Sequence, residues 1–329
     1  MIVKVIPMKF LKFRSSSPQV PAAAAPCADG AASSASAAAS DGGGEAAGAP
    51  RYRFPSWLDF LALVGLFVVV QLAVTLVVLL AGSGMPAAGS DGTAEAEAAQ
   101  EAAARINFCA YPFIMGAMIV LTLLYRRLRG GNRRLGRYAS RGLNPVLILW
   151  GFVLMTAAGV VIEPLVSLLP APPDVYGRGW QALLLTVVMA PLAEEFLCRG
   201  ILLDAARAKG GAAYGLLFSS LFFGVIHFYP AAVVNATVLG LVLGFIYIRS
   251  NSLYITVILH AFNNALALLL LTLGYGDTTL RRLLADAGRE WLYAPLYGVA
   301  LGIFFAAGCM VWKTLARLRR QERQAAGTQ

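Results

Sequence analysis

The chain holds two histidines, His227 and His260, and both fall inside apolar stretches. A third apolar stretch, about Trp180 to Leu203, carries Glu194, Glu195 and Arg199. Ionisable groups at membrane depth cost several kcal/mol unless paired or hydrated, which marks these five side chains as functional candidates. A glutamate beside a neutral imidazole can take a proton from water. A second imidazole with a nearby amide can donate hydrogen bonds to a developing oxyanion, and His260-Ala-Phe-Asn-Asn264 supplies both groups one helical turn apart. Water attack on an amide is the reaction class these residue types suit. The alternative is a metal: Glu194, His227 and His260 could hold zinc and leave a position open for water. The chain has no HExxH helix.

Spacing assigns the residues to helix faces. Glu195 and Arg199 are four apart with the acid first, the favourable order for an ion pair. Glu194 is turned about 100° from Glu195 and can face another neighbour. Phe223 shares a face with His227, and His260 with Asn264. A hairpin turning at Gly210-Gly211 sets Glu194 level with His227. Nine residues separate Glu194 from Leu203, about 14 Å along a helix, and His260 lies equally far from Asn251. These depths predict one pocket, opening toward the end that carries Leu203 and Asn251. Pro191 has no N–H, so the carbonyl of Val187 is expected to lose its helical partner.

The elements that position these groups are membrane spans. Hydrophobic residues make up 58% of the 329 and charged ones 13%, where soluble domains carry roughly 25% charged. Mean hydropathy is +0.68. The fold class expected is all-α, a polytopic bundle of about eight transmembrane helices over residues 55–315, with the motif-bearing core at about 145–275. Ser56 and Asp59 have capping-box spacing at the start of the first span. Residues 1–54 read as a basic, Ala/Gly/Ser-rich disordered tail, and 316–329 as a basic tail.

The net charge of +10 does not point to nucleic acid. Of 27 Lys and Arg, all but Arg105, Arg178, Arg281, Arg282 and Arg289 fall in segments that eight spans place on one side. The positive-inside rule makes that side the cytoplasm, with both termini there. The four cysteines show no CxxC spacing, and Cys198 reads as apolar filler rather than a nucleophile.

Glu194-Glu195-x-x-x-Arg199, Phe223-x-x-x-His227 and His260-x-x-x-Asn264, in that order, resemble the three motifs of the CPBP (Abi/CAAX protease) family of intramembrane endopeptidases. Its eukaryotic branch is the type II CAAX prenyl endopeptidase. The resemblance implies that Glu194 and His227 activate the water, that His260 and Asn264 hold the oxyanion, and that Glu195, Arg199 and Phe223 support the site. It also implies a membrane-embedded or lipidated polypeptide substrate. The family's mechanism is described both as glutamate-dependent, needing no cofactor, and as metal-dependent, using zinc. Two rival readings are a non-proteolytic immunity or scaffold protein of this family, and a small proton-coupled transporter using Glu163, Glu194 and the histidines.

Overall fold

The structure is a computed structural model that describes residues 52–80, 93–138, 143–170, 177–276 and 278–327; the expected disordered tail lies almost wholly outside them. All regular structure among the described residues is helical. The chain runs α1 (Trp57–Leu80), α2 (Thr93–Leu128), α3 (Pro145–Val166) and α4 (Trp180–Leu183). It continues without a break through a π-helical turn (Leu184–Met189), α5 (Ala190–Glu195) and a second π-helical turn (Phe196–Leu203) into α6 (Asp204–Val225). Then follow α7 (Pro230–Ser250), α8 (Leu253–Thr272), the short α9 (Leu280–Asp286) and α10 (Tyr293–Gly327).

Local chemistry explains several ends. Ser56 and Asp59 close the capping box: the Asp59 carboxylate accepts from the Ser56 N–H at 2.8 Å, and the Ser56 hydroxyl accepts from the Asp59 N–H at 3.2 Å. Asn144 caps α3 by accepting from the Leu147 N–H, with Pro145 in the first turn, where its missing N–H costs nothing. At its far end α7 stops on Asn251 in the left-handed region (φ 52°).

Among the described residues, seven helical stretches are long and apolar enough to cross a membrane. One of them, Trp180–Val225, has 46 residues and doubles back at Gly211, whose φ of 83° with ψ −179° breaks the helix where only glycine is at ease. The Ser219 hydroxyl donates to the Cys198 carbonyl at 2.8 Å, so the two arms run antiparallel. That stretch therefore crosses twice, and the bundle has the eight crossings expected. Large apolar side chains on its rim stand open, among them Leu58, Leu72, Leu80 and Phe305. Such an unbroken apolar surface suits lipid contact, and the chain is an integral membrane protein.

Hydrogen bonds tie each end of the bundle together. At one end Lys209 donates to the carbonyls of Arg53 and Pro55, Leu253 N–H to Arg137, and Arg319 to Arg249. This end collects most of the described Lys and Arg. At the other, Tyr297 donates to the Val161 carbonyl, and the Glu163 carboxylate accepts from the N–H groups of Leu280 and Arg281.

α2 starts at Thr93, because the Ala- and Glu-rich stretch ahead of its apolar part is made of strong helix formers. One boundary differs from expectation: the basic segment after residue 315 continues α10 to Gly327 instead of leaving it.

α6 and α7 pack closely because Gly224 faces Thr237, and Gly240 faces the Ser220 backbone. A Cβ on Gly224 would collide with the Thr237 hydroxyl and the Val233 carbonyl. Gly224→Val should therefore destabilise the fold by about 1–3 kcal/mol, the usual penalty of overpacking, read as a lower thermal midpoint in detergent.

Candidate active site

Arg199 and Glu195 are both fully buried, and the Arg199 Nη1 atom lies 2.7 Å from Glu195 Oε1. The same carboxylate oxygen accepts from His260 Nδ1 at 3.0 Å, so the pair fixes the ring of a residue on α8. Arg199 also donates to the Gly240 carbonyl on α7 at 3.3 Å, and its guanidinium lies 4.6 Å from the centre of the Phe223 ring on α6. Phe223 in turn meets His227 and His260 edge-on, with ring centres 5.0 and 5.5 Å apart. One buried ion pair thus orders side chains on four membrane segments.

Glu194 faces the other way, as its rotation predicts. It lines a cavity of about 330 Å³ together with Phe223, His227, His260 and Asn264. Its Oε1 atom accepts from the Tyr111 hydroxyl at 2.7 Å, and its Oε2 atom lies 3.8 Å from His260 Nε2. Among the described residues no hydrogen bond joins Glu194 to His227, which corrects the expectation that the two sit level. The Cys198 to Ser219 contact sets the register: four residues further along each arm, Glu194 matches Phe223, and His227 lies one turn beyond. His227 returns because α6 ends at Val225 and the chain turns, letting His227 Nδ1 donate to the Phe223 carbonyl at 2.7 Å. That bond leaves His227 Nε2 as the free ring atom on the cavity wall.

Asn264 is held by backbone chemistry. In the π-helical turn the Ala190 N–H reaches back five residues to the Leu185 carbonyl, so the next acceptor in line, Thr186, would need an N–H from residue 191. Pro191 has none. The Thr186 carbonyl is therefore left open, and Asn264 Nδ2 fills it at 2.9 Å. Its second amide hydrogen is left for the cavity.

Every motif residue expected at the site lies there, with Glu195 and Arg199 behind the cavity wall as supports. Glu163 is elsewhere, bound to the start of α9, so it forms no path with Glu194. Cys198 is buried among apolar neighbours, as filler should be. Tyr111 was missed; the only hint is a tyrosine beside Pro112 inside an apolar span. Asn235 and Asn263 also line the cavity. As the side chains stand, no three His, Cys, Asp or Glu among the described residues gather closely enough to hold a metal ion, Glu194, His227 and His260 included.

Beyond His260 the cavity lining continues to Asn264, Ala267, Leu271 and Gly276, away from the Arg-rich end. On the Arg-rich side Leu203, Tyr247 and Leu253 are fully buried, and Gly136 lies against Gly200, its N–H donating to the Gly200 carbonyl at 2.8 Å.

Arg199→Met should strand a buried carboxylate and cost about 3–5 kcal/mol, visible as a large fall in thermal midpoint. Adding Glu195→Gln should recover part of it.

Residues 177–266 match the family model described as type II CAAX prenyl endopeptidase Rce1-like, an interval that holds all seven motif residues. No curated protein and no solved structure matches the chain. The stretch from Gly177 to Leu266, which supplies most of the cavity wall, is thus similar to the type II CAAX prenyl endopeptidases that its three motifs resemble.

Proposed function

We propose that this protein is an intramembrane endopeptidase that hydrolyses a peptide bond of a membrane-associated polypeptide with water activated by Glu194 and His227. The observation that carries this reading is the convergence of Glu194, His227, His260 and Asn264 on one cavity. The family match supports a membrane protease at the level of reaction class. Prenylated C-termini are the substrates that the eukaryotic branch suggests. The bias of Lys and Arg toward one end supports a cytoplasmic location for both termini.

In this mechanism Glu194 takes a proton from a water held between it and His227 Nε2. The hydroxide attacks the carbonyl carbon, and the proton goes on to the leaving amine. Tyr111 fixes the Glu194 carboxylate through its 2.7 Å hydrogen bond. Asn264 offers its second amide hydrogen to the developing oxyanion. His260 gives Nδ1–H to Glu195, so its Nε2 donates to the oxyanion only when the ring carries both protons. Arg199 holds Glu195 in place throughout. No step needs a metal, and the donor set described above supports that choice.

The test is cleavage of a peptide library by the purified protein in detergent. Glu194→Ala and His227→Ala should each lower the rate by about 10²–10⁴, the usual size of a general-base contribution. Undiminished cleavage in both would sink the assignment. Activity should survive extensive treatment with a zinc chelator. Tyr111→Phe should lower kcat by about 10–100-fold, the worth of one hydrogen bond to a charged group, with KM little changed.

A further inference from the structure

We propose that Asn235 binds the substrate: its side-chain amide grips the backbone N–H and C=O of one extended residue beside the scissile bond. The role rests on the proteolytic reading above; the placement of Asn235 rests on the cavity and on the packing of α6 against α7.

Among the described residues three asparagines line the cavity, and the fold employs two of them. Asn264 donates to the Thr186 carbonyl at 2.9 Å, and Asn263 donates to the Asn264 side-chain oxygen at 3.4 Å. The third, Asn235, is half-buried on α7, and its side chain makes no hydrogen bond with any described residue. Its neighbours along the chain are Val233, Val234 and Ala236. Asparagine is a weak helix former, and an unpartnered amide inside an apolar bundle is costly. Neither helix propensity nor packing accounts for this residue; a polar group that enters the cavity does.

The α6–α7 hairpin sets the depth of Asn235. A Cβ on Gly240 would lie 3.1 Å from the Ser220 Cα, which matches position 240 to position 220. Along the two antiparallel arms Phe223 then matches Thr237, and His227 falls near Val233. Gly224 faces both Thr237 and Val233, as this register requires. Glu194 is itself level with Phe223 through the Cys198 to Ser219 contact. Asn235 therefore lies between the levels of Glu194 and His227, the two groups that hold the reacting water, and it shares their cavity.

An amide suits this task. Its Nδ2 group donates and its Oδ1 atom accepts. In an extended strand the N–H and C=O of one residue point the same way, so a single asparagine can take both. Ala232 and Ala236 line the cavity on the same face of α7, and their methyl groups let a backbone come close to the helix. The grip ignores side-chain identity but demands a free N–H and an extended conformation at that residue. Asn264 on α8 holds the oxyanion while Asn235 holds the neighbouring residue from α7. Fixed from two walls, the carbonyl stays turned toward the water.

The test uses the purified full chain in detergent with the best-cleaved library peptide. Asn235→Ala should lower kcat/KM about 10–100-fold, the worth of two neutral hydrogen bonds, and leave the thermal midpoint unchanged. The deciding arm replaces the peptide's backbone N–H groups one at a time by ester oxygen, sparing the scissile amide. At one position beside the scissile bond the ester should slow the wild type about 3–10-fold and leave Asn235→Ala unaffected, because the bond it removes is already gone. Equal ester penalties in the two enzymes at every position overturn the proposal. So does an Asn235→Ala enzyme as active as the wild type. An Asn235→Ala chain that fails to fold shows the amide serving the fold and overturns it as well. No cleavage of any peptide, or cleavage that persists in Glu194→Gln, overturns the proteolytic reading and this proposal with it.

Discussion

The site depends on a fully buried ion pair. Taking Arg199 and Glu195 out of water costs several kcal/mol per ion, and their mutual attraction offsets this only when geometry and further hydrogen bonds are good. Here the surroundings meet part of that condition, since Glu195 Oε2 and Arg199 Nε find no hydrogen-bond partner among the described residues. Glu195 accepts from both Arg199 and His260 through one oxygen, and Arg199 has the Gly240 carbonyl and the Phe223 ring as additional partners. Each partner comes from a different segment, so satisfying the pair requires α6, α7 and α8 to be in register with the segment carrying both charges. The same requirement places the two histidines. His260 is held directly, and His227 is held through Phe223, whose ring meets both imidazoles and the guanidinium.

Backbone irregularity completes the positioning. A regular α-helix through Trp180–Leu203 would use its inner carbonyls on its own N–H groups, save the one four residues before Pro191. The first π-helical turn together with Pro191 releases Thr186, which then binds Asn264 across the bundle. At the second, the Gly200 carbonyl accepts from Gly136 of the 131–138 segment. One irregularity faces the cavity and orients an amide donor; the other faces the Arg-rich end and holds that segment. π-helical turns cluster at functional sites because they free backbone groups in this way.

Much of this was legible in the sequence, for physical reasons. Ionisable residues in apolar spans are costly, so Glu194, Glu195, Arg199 and the histidines identified themselves. The i, i+4 spacing of Glu195 and Arg199 found their pairing, and the glycine pair located the hairpin. What could not be read was the register of its arms. A small shift in the turning point moves the partner of Glu194 by a whole turn, from His227 to Phe223. Tyr111 escaped for a related reason: it reaches Glu194 from a helix 83 positions away, and a tyrosine in a membrane span is ordinary.

The buried pair also divides the segment that carries it: Glu195 and Arg199 are fully enclosed, whereas Glu194, one residue before the pair, lines the cavity. The order of the residues along one helix, Thr186, Glu194, Glu195, Arg199, Gly200, is thus also an order of function. Going along it, the cavity wall comes first, then the reactive carboxylate, then the buried supports, and last the carbonyl that holds the 131–138 segment. Reversing the positions of Glu194 and Arg199 in that series would bring the guanidinium to the water and bury the base behind it, where no substrate bond could be reached.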